Sequence, residues 1–222
     1  MTEHEQLLAY AEQLFCAEDA ALQEIRTLQQ REQLPAIAVS AEEGKLLHVL
    51  LRAVAARRVL EIGTLGGYSG AWIARALGAA GRLTTIEANA KHAAIARRAF
   101  TLAGVAERVE LLEGAALDVL PGLEPGYDAV FVDADKPPLD RYYAHAMRLL
   151  RVGGLLLCDN AFFHARVLDP ADREPDVAGV RAFNRLAAAD PRVVATIVPV
   201  RDGLLVGVKV AADERHPGER RR

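Results

Sequence analysis

With 222 residues, 51% of them apolar, and no apolar stretch near the roughly 18 that span a bilayer, the chain has the make-up of one globular α/β domain. That composition excludes a mainly disordered chain and a membrane-spanning one. Its 27 basic and 30 acidic residues leave a formal net charge of −3, too little for a strong positive field towards nucleic acid.

The first 56 residues are helical in pattern. Leu7, Ala11, Leu14 and Phe15 share one face, and Leu22, Ile25 and Leu28 continue it at three-residue spacing. Pro35 breaks the run. Ser40-Ala-Glu-Glu43 has the form of a capping box, in which the Ser40 hydroxyl and the Glu43 carboxylate satisfy free amides at a helix start. The helix that follows turns Leu46, Leu47, Leu50, Leu51 and Val54 towards a core. These N-terminal helices (1–56) are expected to pack on and cover the domain that follows (57–211). The start, Met1-Thr-Glu-His-Glu-Gln6, is acidic and has no h-region, so a cytoplasmic location is expected. Cys16 and Cys158 lie far apart in apolar settings and read as reduced, buried thiols.

From Arg58 the chain alternates strand and helix, with strands predicted over 58–63, 82–87, 108–113, 127–133 and 153–159. Alternation of this kind implies parallel pairing with right-handed crossovers, hence a doubly wound sheet with helices on both faces. After a helix around 176–189, Val193 to Val200 and Leu204 to Val210 flank Arg201-Asp202-Gly203 and read as an antiparallel hairpin. The residues from Asp213 to Arg222 read as a flexible tail.

The first strand runs into Gly63-Thr-Leu-Gly66-Gly67-Tyr-Ser-Gly70 and then a helix. Glycines let a backbone approach a ligand closely. The spacing is not the G-x-G-x-x-G of dinucleotide enzymes, and Glu61 just before Gly63 would lie poorly beside a pyrophosphate. A cationic ligand fits better, such as the sulfonium and ammonium of S-adenosylmethionine. Glu87 ends the next strand, where an acid can accept from both ribose hydroxyls. Tyr68 and Trp72 on the following helix read as packing.

Two further strand ends carry chemistry. Asp133-Ala-Asp135-Lys136 and Asp159-Asn160 each close an apolar run. On neighbouring parallel strands they would meet at one rim: two carboxylates, an amide and a lysine, hard ligands for Mg²⁺ or Ca²⁺ with a base beside them. Plainer roles stay open at this point. Asp133 and Asp135 could cap the helix after Pro137-Pro138, and Asp159-Asn160 could be a turn.

The motifs together resemble the cation-dependent class I O-methyltransferases, the group of caffeoyl-CoA and catechol O-methyltransferases and bacterial relatives. The likeness rests on Val39-Ser-Ala-Glu-Glu-Gly44, LEIGTLGGYSG from Leu60, TIEAN from Thr85, EGAAL from Glu113, YDAVFVDADK from Tyr127, GGLLLCDN from Gly153 and DGLLVGVKV from Asp202. It implies a Rossmann-like sheet of seven strands, the last antiparallel, in a homodimer. It implies S-adenosylmethionine contacts at Val39, Glu61, Gly63, Ser69, Glu87, Ala116, Asp133 and Asp135. It also implies a divalent cation, Mg²⁺ first with Mn²⁺ or Ca²⁺ as alternatives, on Asp133, Asp159 and Asn160, and catalysis by Lys136 as base with Asp133. Where the family has Thr-Leu-Trp-Asn-Gly after Asp-Asn, this chain has Ala161-Phe-Phe-His-Ala165. His164 therefore stands where plant members use an asparagine to touch the acceptor. Pro137-Pro138-Leu139 replaces polar residues.

The leading expectation is methyl transfer to a small catechol-like or vicinal-diol acceptor. A second is hydroxyuridine in transfer RNA, for which Arg57-Arg58, Arg97-Arg98 and Arg220-Arg221-Arg222 are the basic clusters available. An NAD-dependent oxidoreductase and a non-catalytic S-adenosylmethionine-binding protein are the lesser readings.

Overall fold

A computed structural model describes residues 3–212; the tail foreseen from Asp213, with its terminal arginines, lies outside the described residues. Three helices come first: α1 (Glu3–Phe15), α2 (Ala20–Arg31) and α3 (Ala41–Ala53). Then follow β1 (Arg58–Ile62), α4 (Tyr68–Ala76), β2 (Arg82–Glu87), α5 (Ala90–Leu102), β3 (Val109–Glu113) and the single turn α6 (Ala116–Val119). The chain closes with β4 (Tyr127–Val132), α7 (Leu139–Leu149), β5 (Leu150–Cys158), α8 (Pro175–Ala189), β6 (Val193–Val198) and β7 (Leu204–Lys209).

The strands form one seven-stranded sheet in the order β3-β2-β1-β4-β5-β7-β6. β1 to β5 are parallel, and β7 runs antiparallel to both β5 and β6, as the alternation and the closing hairpin predict. β5 begins three residues before the predicted strand. Leu150 pairs with Tyr127, and the register then shifts before Ala129 meets Leu155, which accommodates Gly153-Gly154 as an irregularity rather than a strand start.

Successive side chains of a strand point to opposite faces, and here both faces are covered. Val59, Ala129, Phe131, Leu155 and Leu157 pack with residues of α3, α4 and α5. Leu60, Val130, Val132, Leu156 and Cys158 pack with α7 and α8 on the other side. α2 is capped by Asp19, whose carboxylate accepts from the Leu22 amide, and buries Leu22, Ile25 and Leu28. Leu47 and Leu51 of α3 are buried in the same core, with Leu46, Leu50 and Val54 at its edge. α1 differs: Leu7, Tyr10, Leu14 and Phe15 are exposed. No helix among the described residues is long and apolar enough to cross a membrane. Both cysteines are free thiols, Cys158 buried as expected and Cys16 only half-buried, since α1 leaves its end open.

Candidate active site

The strand order reverses between β1 and β4, and at such a switch point the carboxyl ends of the strands leave a crevice. A cavity of about 770 Å³ opens there. Its floor is the glycine turn between β1 and α4. Gly63 has φ +95°, and a Cβ on it would lie 2.0 Å from the Asp133 carbonyl oxygen, so only glycine lets the β1 and β4 ends come this close.

Val39, Gly63, Ser69, Glu87 and Ala116 line this cavity, as do Asp133, Asp135, Lys136, Asn160 and His164. Glu61 and Asp159 do not; both lie behind the wall with almost no exposed surface. Glu61 is held by two hydroxyls, accepting from Ser69 and Thr85 at 2.6 Å each. Burial pushes its carboxyl up to about 7 against those two hydrogen bonds, with Asp133 and Glu87 adding to the rise. It therefore sits beneath the turn and reaches the cavity only through Ser69, rather than facing a ligand directly. Glu87 does face the cavity. One of its oxygens accepts from the Leu65 amide and the other from the Asn89 amide, both at 2.8 Å, and each keeps a second acceptor position. Tyr68 and Trp72 are buried as packing; the Tyr68 hydroxyl also donates to Glu18, and Tyr68 touches the cavity.

The two strand-end segments meet. β4 and β5 are parallel neighbours with Val132 opposite Cys158, so Asp133 and Asp159 are the next residues out on each strand. The Asp159 amide donates to the Val132 carbonyl at 3.1 Å, and the Asp133 amide to that of Ile62 at 2.9 Å. Lys136 donates to Asp133 Oδ1 at 3.2 Å. Burial lowers the Lys136 ammonium, but Asp133, Cys158 and Asp159 outweigh it and leave the lysine above its ordinary value. Burial raises Asp133 in turn, opposed by Lys136. Asp135 accepts from the Tyr142 hydroxyl at 2.6 Å. Neither aspartate caps α7, whose N-cap is Pro138 with no side-chain bond. Asn160 has φ +60°, so its segment is a turn, and it lies on the cavity wall. Among the described residues no group of three or more His, Cys, Asp and Glu side chains is placed to hold a metal ion; the expected ligand set is two carboxylates and an amide.

One residue of the site was misread from sequence. The Ser40 hydroxyl accepts from the Glu43 amide at 3.1 Å, which is half of the capping box. The Glu43 carboxylate does not complete it. It is fully buried, faces Asp159, and neither oxygen has a donor on it. Burial first, and then Asp159 and Asp133, push it well above the carboxylate range. The signal was available in strand parity. Asp133 and Asp159 continue the faces of Phe131 and Leu157, which is the side that α3 covers.

Three segments close the mouth. The Ala161 and Phe162 amides donate to the Gly203 and Asp202 carbonyls at 2.8 Å each, and the His164 amide donates to Asp202 Oδ1 at 2.7 Å. Arg201 donates to the Ala38 carbonyl at 2.7 Å. Phe163, His164 and Ala165 all have positive φ, a run that this anchoring sustains. The His164 side chain is 78% exposed, with Nδ1 3.7 Å from Asp202, so it borders the mouth and does not reach Lys136's side of the cavity by any hydrogen bond.

Comparison with known proteins agrees with this geometry. A family model described as O-methyltransferase matches residues 12–210. A catechol O-methyltransferase of Niastella koreensis is 44% identical over 180 residues, 79% of each chain. A catechol O-methyltransferase of Mycobacterium tuberculosis is 41% identical over 191 residues, 86% of each. Among solved structures, the O-methyltransferase TomG of Streptomyces achromogenes, involved in tomaymycin synthesis and crystallised with S-adenosylmethionine, superposes with a TM-score of 0.87 at 40% identity, covering 95% of this chain and all of that one.

Proposed function

This chain belongs to the O-methyltransferase family, and on that premise we propose that it moves a methyl group from S-adenosylmethionine to a hydroxyl of a small catechol-like or vicinal-diol acceptor, with a divalent cation beside that acceptor. The observation that carries the reading is the β4–β5 register, which brings Asp133 and Asp159 out side by side with Lys136 on Asp133. The names of the two catechol O-methyltransferases and the S-adenosylmethionine in TomG support it.

The methyl donor would lie over the glycine turn, bringing a sulfonium whose methyl carbon is open to in-line displacement. Glu87 has acceptor positions free for ribose hydroxyls, and Val39, Gly63, Ser69, Ala116, Asp133 and Asp135 form the surrounding wall. Glu61 holds Ser69 in place from below.

Asp133, Asp159 and Asn160 would hold the cation. The Asp133 and Asp159 carboxylates, brought out side by side by the strand register, and the Asn160 amide oxygen are hard donors of the kind that suits Mg²⁺, Mn²⁺ or Ca²⁺. When bound, a divalent cation supplies charge that orients two neighbouring acceptor oxygens and acidifies one of them. The proton is the task of Lys136. Its ammonium would first release a proton to solvent, a loss that burial favours and that the Asp133 charge opposes until the cation draws on that charge, and the neutral amine could then accept the acceptor's hydroxyl proton. Placement of the acceptor oxygen against the methyl carbon then supplies much of the rate.

A homodimer belongs to the same reading, because the apolar stripe of α1 is left exposed among the described residues. The transfer-RNA acceptor has less support. Arg97 and Arg98 are paired with Glu113 and Glu32, and Arg58 donates to the Pro125 and Glu124 carbonyls. The oxidoreductase reading has no support from the family.

The test is a methyl-transfer screen over catechols, flavonoids, phenolic acyl-CoA esters and transfer RNA, with Mg²⁺ and with a chelator. Turnover of a catechol that stops on chelation and returns with Mg²⁺ is expected. Turnover indifferent to chelation would overturn the cation, and turnover of transfer RNA alone would overturn the acceptor.

A further inference from the structure

Among the described residues Arg201 is the only arginine on the cavity wall, and it is exposed. Its place is fixed by the segment that follows Asn160. The Ala161 and Phe162 amides donate to the Gly203 and Asp202 carbonyls, and the Gly203 amide donates to that of Val200 at 2.8 Å. A Cβ on Gly203 would lie 2.7 Å from the Phe162 ring. The turn between β6 and β7 is therefore clamped onto the chain that leaves the end of β5. Arg201 has φ +47°, a conformation that glycine adopts freely and an arginine does not. Turn geometry alone gives no reason for an arginine here.

The guanidinium has donors to spare. Nη1 donates to the Ala38 carbonyl at 2.7 Å, which leaves most of the N–H groups of the fork unused. No carboxylate among the described residues lies within ion-pair distance of Arg201, whereas Lys136 on the same wall is held by Asp133. Asp202 is its neighbour in sequence but is engaged elsewhere. One Asp202 oxygen accepts from the His164 amide at 2.7 Å, and the other is buried 3.7 Å from His164 Nδ1. A guanidinium with two free N–H bonds on one edge matches a planar carboxylate. A lone guanidinium suits one negative charge better than a polyphosphate, which needs several cations. The methyl donor and the acceptor are both possible sources of a carboxylate. The Arg201 turn is bonded to the residues after Asn160 and not to the glycine turn, which favours the acceptor.

We propose that Arg201 is a specificity-determining residue that binds a carboxylate on the acceptor, so that the preferred substrates are catechol-type aromatic acids rather than neutral or cationic catechols. This assignment rests on the catechol reading above and names the substituent which that reading leaves open. With its hydroxyls at the Asp133 and Lys136 end and its carboxylate at Arg201, a flat acceptor is held at both ends. Holding both ends fixes the orientation of the attacking oxygen, which is where a positioned reaction gains its rate.

The experiment is initial-rate kinetics of the full chain with Mg²⁺ on protocatechuate, catechol and dopamine, which carry a carboxylate, no charge and an ammonium. S-adenosylhomocysteine affinity is measured by calorimetry on the same samples. Arg201→Met should lower the ratio of kcat/KM for protocatechuate over catechol by about tenfold, as loss of hydrogen bonds to a charged group implies. Taking the ratio removes any loss that both acceptors share once the bond to Ala38 is gone. Arg201→Lys, which keeps the charge without the fork, should retain part of the ratio, and Arg201→Glu should turn the preference towards dopamine. If Arg201→Met does not fold, Arg201→Gly, which the positive φ suits, takes its place. A ratio unchanged in Arg201→Met or Arg201→Gly overturns this proposal alone. So does a fall of about tenfold in S-adenosylhomocysteine affinity, which would give the arginine to the donor's carboxylate. A wild type that turns over none of the three acceptors overturns the catechol reading and this proposal with it.

Discussion

A Cβ on Gly179 would lie 1.9 Å from the carbonyl oxygen of Lys136. Helix α8 thus presses its backbone onto the segment that carries the proposed base, and the bare glycine is what admits the contact. Gly179→Ala has to push that segment away. Overpacking of this kind costs about 1–3 kcal/mol, and the movement falls on Lys136. The expected result is a lower melting temperature together with a kcat down by about tenfold, since near-angstrom misplacement is costly to positioned chemistry. S-adenosylhomocysteine affinity should change less, as Glu87 and the glycine turn lie on the other side of the cavity. Full kcat in a destabilised variant would show that the segment yields without moving the amine.

Lys136→Arg keeps the charge beside Asp133 but removes a group able to take a proton at working pH, because a guanidinium stays protonated. General-base catalysis contributes about 10²–10⁴-fold, so turnover should fall by that much with cofactor binding retained. Direct counting of methylated product by mass spectrometry checks it. Near-normal turnover would remove Lys136 from the proton transfer.

Much of this was legible in sequence for a simple reason. β1, β2, β4 and β5 are short apolar runs closed by glycine or acids, and parallel neighbours align such ends, so Asp133 and Asp159 meet without any detail of packing. The N-cap at Ser40 was legible too, being local. Glu43 was not. A capping-box pattern describes only what the helix start can do with its own amides, whereas the destination of the Glu43 carboxyl depends on Asp159, far along the chain. His164 was opaque for a related reason: Phe163, His164 and Ala165 adopt positive φ without a glycine among them, held by Asp202 and Gly203 of the distant hairpin turn. Glu61 was legible as an acid at the turn, but its enclosure by Ser69 and Thr85 was not.

Asp190 gives a pH signature away from the site. It closes α8, and its carboxylate accepts from the Arg192 guanidinium at 2.6 Å and the Tyr143 hydroxyl at 2.9 Å. Arg192 first, then its amide and Tyr143, hold Asp190 below the usual carboxylate range despite its burial. A carboxylate depressed in the folded state contributes stability above its unfolded pKa, near 3.9, and that contribution is lost as pH falls further towards the folded value. Asp190→Asn should therefore be about 2 kcal/mol less stable at pH 7, as hydrogen bonds to a charged group suggest. The gap to wild type should narrow steadily below about pH 4. Denaturant titrations at several pH values measure it, and a gap constant down to pH 3 would mean that the pair adds nothing electrostatic.

The stripe on α1 points to a second copy of the chain. Leu7, Tyr10 and Leu14 recur at three- and four-residue spacing on one helical face, with Phe15 at its edge, and all four are more than half exposed. Covering a large apolar side chain is worth about 1.5–3 kcal/mol, so four on each of two copies amount to a substantial drive for association. α2 begins only a few residues later and buries its own stripe, so α1 is held at its C-terminal end while its apolar side faces outward. Light scattering after gel filtration should give twice the 24.0 kDa chain mass for wild type. Leu7→Glu combined with Leu14→Glu places a charge towards each end of the stripe, and should give the single-chain mass with an unchanged circular dichroism spectrum. A double variant that keeps the doubled mass would move the interface elsewhere, and a wild type that runs as one chain at micromolar concentration would remove the dimer from the reading.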